Sequence, residues 1–124
     1  MSRSQAEFRF SCVVSDFLRR ALPSTALYSH FPAGENRSAI TGARLKRMGL
    51  ARGWPDYIII HDGKLIGLEL KVPGGSVSKE QRDIGDGFTA NGFAWQIVRS
   101  LEDVESFLLS CGVPLRASCL ERAA

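Results

Sequence analysis

The sequence predicts an α/β domain in which a mixed central β-sheet is covered by helices on both faces. Three observations favour this class: a β-hairpin in the middle of the chain, strands that are apolar on both sides, and flanking segments with helical periodicity. A chain of 124 residues is long enough for one core but too short for two. We therefore expect a single domain over residues 1–124.

The first half of the chain contains three predicted elements before the hairpin. An amphipathic helix is expected over residues 4–21, where apolar residues follow the 3.6-residue period and Pro23 ends the helix. A short edge strand is expected over 26–31. A further helix is expected within 36–55, packed by its apolar side and ended by Gly49.

The hairpin combines two extended runs, 56–61 and 64–72, joined by Asp62-Gly63. This dipeptide suits a type I′ turn, in which both positions need a positive φ. A two-residue turn places His61 opposite Lys64, and every facing pair of positions then sums to 125. Ile58, Ile60 and Leu65 are expected on one face, and Tyr57, Ile59, Ile66, Leu68 and Leu70 on the other.

The second half predicts a helix, a strand and a final helix. Ser78 and Gln81 have the spacing of a capping box, which predicts a helix to about Ala90, loosened or kinked by two internal glycines. A last strand is expected over 93–99. Ser100 is placed to cap the final helix, and the tail, 112–124, is expected to be partly flexible.

Asp56 and Glu69 face each other at the open end of the hairpin, and Lys71 lies on the same face two residues further on. Opposed carboxylates are destabilising unless they are paired or bound to metal. A magnesium-type cation, which prefers carboxylate oxygens and keeps several waters, would resolve this conflict. The alternative is a salt-bridge cluster at an exposed sheet end.

The pattern Pro55-Asp56 followed by Glu69-x-Lys71 resembles the PD-(D/E)XK nuclease signature. With Gly53, Gln81 and Val98-Arg99, it is similar to the VRR-NUC branch of that superfamily, in particular its small stand-alone phage and bacterial members. The resemblance covers about residues 5–108. It departs from the family where Val-Arg-Arg is replaced by Val98-Arg99-Ser100.

The resemblance implies a restriction-endonuclease-like core and a DNA endonuclease that depends on Mg²⁺ or Mn²⁺. Asp56, Glu69 and the backbone carbonyl of Leu70 are the expected metal ligands, and Lys71 is expected to position or activate the attacking water. Gln81 is expected in the active site, although capping alone would also explain it. Glu7 falls in the apolar stripe of the first helix; the helix dipole would explain it, whereas the resemblance makes it a candidate metal ligand.

The segment before the hairpin is basic and contains no acidic residue between Asn36 and Pro55. Such a segment is either a solvated helix face or a site that positions phosphates beside the metal. Trp54, at the open end of the hairpin, is either a stacking surface for an unpaired base or part of the core. The candidate nucleic-acid-binding residues are Arg37, Arg44, Lys46, Arg47, Arg52 and Trp54.

Composition excludes several other classes. No apolar run approaches the roughly 18–20 residues that span a membrane, and the first residues lack a signal-peptide core. Three widely spaced cysteines argue against a disulfide framework or a zinc site and fit a reducing cytoplasm. The resemblance implies that this is a bacterial cytoplasm or that of a phage-infected host. The expected partner is DNA, with branched or flapped substrates and a homodimer implied by the resemblance. A catalytically silent nucleic-acid-binding module and a scaffold domain remain the alternatives.

Overall fold

A computed structural model describes residues 1–32 and 38–119. Four helices and four strands follow one another along these residues in the predicted α/β order. The elements are α1 (Arg3–Ala21), β1 (Leu27–His30), α2 (Ala39–Arg47), β2 (Tyr57–His61), β3 (Lys64–Leu70), α3 (Lys79–Ala90), β4 (Ala94–Val98) and α4 (Leu101–Ser110).

The sheet is mixed, as predicted, with strand order β1-β2-β3-β4. β1 and β3 both run antiparallel to β2, whereas β4 runs parallel to β3 after the α3 crossover. The register of the central hairpin is the predicted one, since Tyr57 pairs with Leu68 and His61 with Lys64. Asp62 and Gly63 adopt φ values of 49° and 73°, which is what the type I′ turn requires.

The main core lies between the sheet and the pair α1 and α4. The face that was predicted to carry Tyr57, Ile59, Ile66 and Leu68 is the one that these helices cover. Its fully buried partners from the helices are Val14, Phe17, Leu18, Ala21, Val104 and Leu108. Burial of these side chains, worth roughly 1.5–3 kcal/mol for each large one, anchors the strands that end at the candidate site.

The opposite face of the sheet is covered by α3 over β3 and β4. Gly67 leaves room for three neighbours, because a Cβ there would lie 2.7 Å from Pro55, 3.0 Å from Phe88 and 3.2 Å from Trp95. Gly85 admits the Trp95 indole in the same way, since a Cβ at this glycine would lie 2.7–2.9 Å from three of the ring atoms. The internal glycines of α3 therefore serve close packing, and the helix runs without a break to Ala90.

The helix α2 departs from the expectation that its apolar side packs on the domain. None of its nine residues, all of which are described, is buried. Ile40 is 69% exposed, and Met48 beyond its end is 81% exposed. Ser38 caps the start of α2 and Gly49, with φ of 103°, follows its end, so the helix is defined by local signals alone.

The described part of the segment after α4 follows the surface of the core. Val113 and Cys119 are buried there, and the Arg116 N–H donates to the Ala21 carbonyl at the end of α1. Within the described residues, no helix is both long and apolar enough to cross a membrane.

Candidate active site

Asp56 occupies the position directly before β2 and is held by backbone groups on two sides. Its Oδ2 accepts a hydrogen bond of 2.7 Å from the Leu70 N–H. Its own carbonyl accepts one of 2.8 Å from the Phe31 N–H and lies 2.8 Å from the His30 Nδ1. The carboxylate is therefore oriented by the end of β3, and the backbone of Asp56 is held at the end of β1.

Glu69 is the buried acidic residue of the site, with only 2% of its surface exposed. Burial is the main reason that its pKa is raised to about 9, and the charge of Asp56 and a hydrogen bond with that residue raise it further. The Lys71 ammonium acts in the opposite direction. A buried carboxyl beside a second carboxyl is a site that a cation would stabilise.

Gln81 joins the start of α3 to Glu69. Its Nε2 donates to the two carboxyl oxygens of Glu69 at 3.1 and 3.4 Å. Its Oε1 accepts from the Ser78 N–H, and its own N–H donates to the Ser78 Oγ, which completes the predicted capping box. Capping and contact with the acidic pair thus occur in the same side chain, because they use different ends of the amide.

Gly53 brings the hairpin and α3 together at this point. It adopts φ of 93°, and a Cβ would lie 2.4 Å from the carbonyl carbon and oxygen of Glu80 and 2.8 Å from the Gln81 nitrogen. Only glycine fits such a position. Pro55, two residues after Gly53, is fully buried, and it lies with Phe88 of α3 around Gly67. The Gly-x-Pro-Asp sequence therefore sets the distance between Asp56 and the start of α3.

Lys71 continues the line of β3, with its N–H donating to the Val98 carbonyl at 3.0 Å. The lysine stem runs beside Gly75, since a Cβ at that glycine would lie 3.5 Å from the Lys71 Cδ. The loop that carries Gly75 is held by two arginines. Arg3 donates to the Gly74 carbonyl at 3.2 Å, and Arg99 donates to the Gly75 carbonyl at 3.3 Å.

One open cleft of about 640 Å³ brings the predicted catalytic residues together. The five that line it are Glu7, Asp56, Glu69, Lys71 and Gln81, and Leu70 lies among them. Glu7 reaches the cleft from the exposed side of the first turns of α1 and not from a buried face. Sequence reasoning did not identify Arg3, Phe8, His30 and Phe31, which also line the cleft.

Those predicted nucleic-acid-binding residues that the structure describes do not line this cleft. Arg44, Lys46, Arg47 and Arg52 are exposed, and of the described residues that line the cleft none comes from α2. Trp54 is 38% exposed and packs edge-on against Phe88, with ring centroids 5.8 Å apart. Arg37 lies outside the described residues.

The acidic pair fits a magnesium-type ion better than an all-protein metal cage. Among the described residues, no group of three His, Cys, Asp or Glu side chains converges on one point. Mg²⁺ and Mn²⁺ sites in proteins commonly use one or two carboxylates and complete the shell with water. A buried carboxyl with a raised pKa beside a second carboxyl supplies that donor set.

Together these features define an α/β domain with two carboxylates, a lysine and a glutamine assembled at the open end of a central hairpin. The fold is that of a VRR-NUC domain. The chain is similar to a solved "VRR_NUC domain protein", with a TM-score of 0.67 and 20% identity over 84% of this chain and 85% of that chain. No model of a protein family matches the sequence, and no curated protein matches it. The predicted resemblance is thus confirmed as a likeness of fold.

Proposed function

We propose that this protein is a metal-dependent DNA endonuclease that hydrolyses phosphodiester bonds with Mg²⁺ or Mn²⁺. The observation that carries the proposal is the buried Glu69, which Asp56, Lys71 and Gln81 surround in one open cleft. A likeness in fold to a domain named after a nuclease family supports it. A structural salt-bridge cluster would account less well for a carboxyl whose pKa is raised to about 9.

Asp56 and Glu69 would hold the ion, with the backbone carbonyl of Leu70 and Glu7 as further candidate ligands. The bound ion supplies charge that stabilises the scissile phosphate and favours an ionised water. Gln81 keeps the Glu69 carboxyl in a fixed orientation, and the Leu70 N–H does the same for Asp56. Lys71 orients the attacking water or stabilises developing negative charge, so the chain contributes chiefly by positioning.

A panel of linear, flapped and four-way DNA substrates, incubated with and without Mg²⁺ or Mn²⁺, tests this proposal. We expect cleavage only in the presence of one of these ions, and we propose a preference for branched or flapped substrates. Binding to DNA without cleavage under any condition would instead identify the second candidate, a silent nucleic-acid-binding module. The exposed basic side chains of α2 are the observation that supports this second candidate.

We also propose that the protein works as a homodimer, because one cleft can cut only one strand in each binding event. Two apolar surfaces are available for a second copy. Leu27 and Ile60 are cross-strand neighbours that remain 67% and 47% exposed, and α2 presents Ile40. Light scattering at micromolar protein should give twice 13.6 kDa. A mass of 13.6 kDa would contradict the dimer and leave the nuclease proposal intact.

A further inference from the structure

Two exposed phenylalanine rings lie in the same cleft as the acidic pair. Phe8 is 70% exposed and Phe31 is 40% exposed, and both line the cleft. Phe8 directly follows Glu7 on α1. The N–H of Phe31 donates to the Asp56 carbonyl at 2.8 Å, so its backbone is fixed relative to a proposed metal ligand.

Core packing among the described residues does not account for these two rings. The core that the described residues form takes Val14, Phe17 and Leu18 from α1, and Phe10 packs against it, but neither Phe8 nor Phe31 belongs to it. A single exposed apolar side chain is ordinary on a protein surface. Two aromatic rings in the cleft that also contains Asp56 and Glu69 call for an explanation based on what enters that cleft.

The chemistry of a phenyl ring limits the ligand. Phenylalanine cannot donate to a phosphate or read the hydrogen-bonding edge of a base, but it can stack on the face of one. Base faces are accessible only where a strand is unpaired, because a duplex stacks them on each other. The same cleft provides the cations Arg3 and Lys71 for the phosphates on either side.

A protein partner fits this surface less well than DNA does. Covering Phe8 and Phe31 with an apolar surface would also remove Glu7, Asp56 and Lys71 from water, since all five residues share the cleft. Desolvating charged groups without new partners is costly. A DNA strand would instead pair its phosphates with Arg3 and Lys71 and its bases with the two rings, and the proposed metal ion would offset the carboxylates.

We propose that Phe8 and Phe31 form a stacking platform for unpaired bases beside the scissile phosphate, so that the strand to be cut is single-stranded within the cleft. This inference rests on the proposed nuclease function and specifies its substrate. It concerns different residues from Trp54, which packs on Phe88 away from the cleft.

The test combines a protein change with a DNA change. The double variant F8L/F31L keeps apolar side chains but removes the aromatic faces, and F8W/F31W restores them. The substrates share one sequence and differ in the cleavage region, which is duplex, unpaired, or unpaired with abasic positions. Phe93→Leu is the matched control, because Phe93 is 37% exposed, close to the 40% of Phe31, but does not line the cleft.

We expect kcat/KM on the unpaired substrate to fall about tenfold or more in F8L/F31L, as for loss of one base–aromatic stack. Cleavage of the duplex and the activity of Phe93→Leu should stay near wild type. For wild type, abasic positions in the substrate should lower kcat/KM by the same factor. For F8L/F31L they should lower it little further. F8W/F31W should recover wild-type activity on the unpaired substrate. Equal losses on all substrates, or an abasic substrate that wild type cleaves normally, would overturn the proposal.

A separate measurement distinguishes failure of this inference from failure of the nuclease proposal. Anisotropy of labelled oligothymidine and its abasic counterpart, recorded in EDTA, reports stacking without cleavage. If no substrate is cut, the nuclease proposal fails, but tighter binding of oligothymidine that is lost in F8L/F31L still supports the platform. Equal binding of both oligonucleotides would refute it. So would a change in mass by light scattering in F8L/F31L with no change in DNA binding, since that identifies a second copy as the occupant.

Discussion

The helices α2 and α3 begin in the same way but are held very differently. Each has a serine N-cap, Ser38 or Ser78, whose hydroxyl accepts the N–H three residues later. The start of α3 is locked against Gly53, and its Phe88 is buried, whereas no residue of α2 is buried. A side chain on α3 can therefore be placed to a fraction of an ångström, whereas a side chain on α2 can contribute charge but little geometry.

This difference separates two kinds of functional contribution. Gln81, fixed on α3, contacts Glu69 at 3.1 Å and belongs to a site in which small displacements matter. Arg44 and Arg47 on α2 are exposed and would act through their field on any phosphate nearby. Substitutions at the packed site should accordingly have large and specific effects, and those on α2 should have small and general ones.

The largest effect is expected on cleavage when the packed site loses a charge. Lys71→Ala should lower cleavage by about two orders of magnitude or more while metal and DNA still bind, because the lysine acts on the water or on developing charge. Asp56→Ala and Glu69→Ala should lose cleavage and metal binding together. Single-turnover cleavage and calorimetric titration with Mn²⁺ measure the two properties.

Lys79→Ala is the control for this comparison, since Lys79 pairs with Asp83 on the surface of α3 and does not line the cleft. It should cleave like wild type. Wild-type cleavage by Lys71→Ala would contradict the mechanism. Unchanged metal binding in both carboxylate variants would place the metal site elsewhere.

The second effect concerns stability and compares two glycines with similar backbones. Gly53 and Gly49 have φ of 93° and 103°, but a Cβ at Gly53 would lie 2.4 Å from Glu80, whereas no atom of the described residues lies within 4 Å of one at Gly49. Gly49→Ala should cost about 1–2 kcal/mol for the left-handed conformation alone. Gly53→Ala should cost clearly more, because the start of α3 must also move.

Urea unfolding of the two variants measures this difference directly. An equal decrease in the free energy of unfolding at both positions would mean that the start of α3 shifts at little cost to admit a Cβ at Gly53. Gln81 would then be held less firmly than its contacts suggest. A larger loss at Gly53, accompanied by weaker metal binding, would tie the packing of α3 to the geometry of the acidic pair.

Much of the packed site could be predicted because its determinants are local. The Asp62-Gly63 turn sets the register, and the register places Asp56 beside Glu69 without any knowledge of the rest of the fold. The spacing of Ser78 and Gln81 likewise predicts the start of α3. Each of these inferences depends on residues close in sequence, and the structure bears them out.

The remaining features depend on contacts between distant segments, which a single sequence does not show. The periodicity of α2 indicated an apolar side but could not reveal that the domain leaves it uncovered. Arg3 and Arg99 both donate hydrogen bonds to the Gly74-Gly75 loop. Arg3 is separated from Gly74 by 71 positions in the sequence, and Arg99 from Gly75 by 24. Phe8 resembles any other apolar residue of α1 in the sequence, and only the fold places it in the cleft that Asp56 also lines.

A third effect, gradual in pH, should appear in the pH dependence of stability without metal. Because the pKa of Glu69 is raised to about 9 from 4.5, the folded protein keeps a proton that the unfolded chain has lost between those values. Stability should therefore fall as pH rises from about 4.5 to about 9, by at most about 1.4 kcal/mol per pH unit for one proton, and then level off.

Glu69→Gln, which is neutral at every pH, should remove this part of the slope. Thermal unfolding of both proteins in EDTA across that range, with the difference between the two curves plotted against pH, isolates the contribution of Glu69. Parallel curves would show that Glu69 is ionised in the folded state. Addition of Mg²⁺ should reduce the wild-type slope, since a bound ion would replace the proton.

The smallest effect is expected on α2, where only charge is at stake. Replacing Arg44 and Arg47 by Ala should weaken binding to all DNA sequences alike and reduce the dependence of affinity on salt, by up to about 0.9 in the log–log slope for each phosphate contact that is lost. The double variant Arg19→Ala/Arg20→Ala removes the same charge from the end of α1, away from the cleft, and is the matched control. Anisotropy titrations from low to high salt would give both slopes.

If the α2 variant and the control change affinity and slope equally, the cations of α2 act only through the net charge of the protein. If the α2 variant instead lowered the cleavage rate at saturating DNA, α2 would be positioning the substrate, and the contrast between the two helices would have to be abandoned.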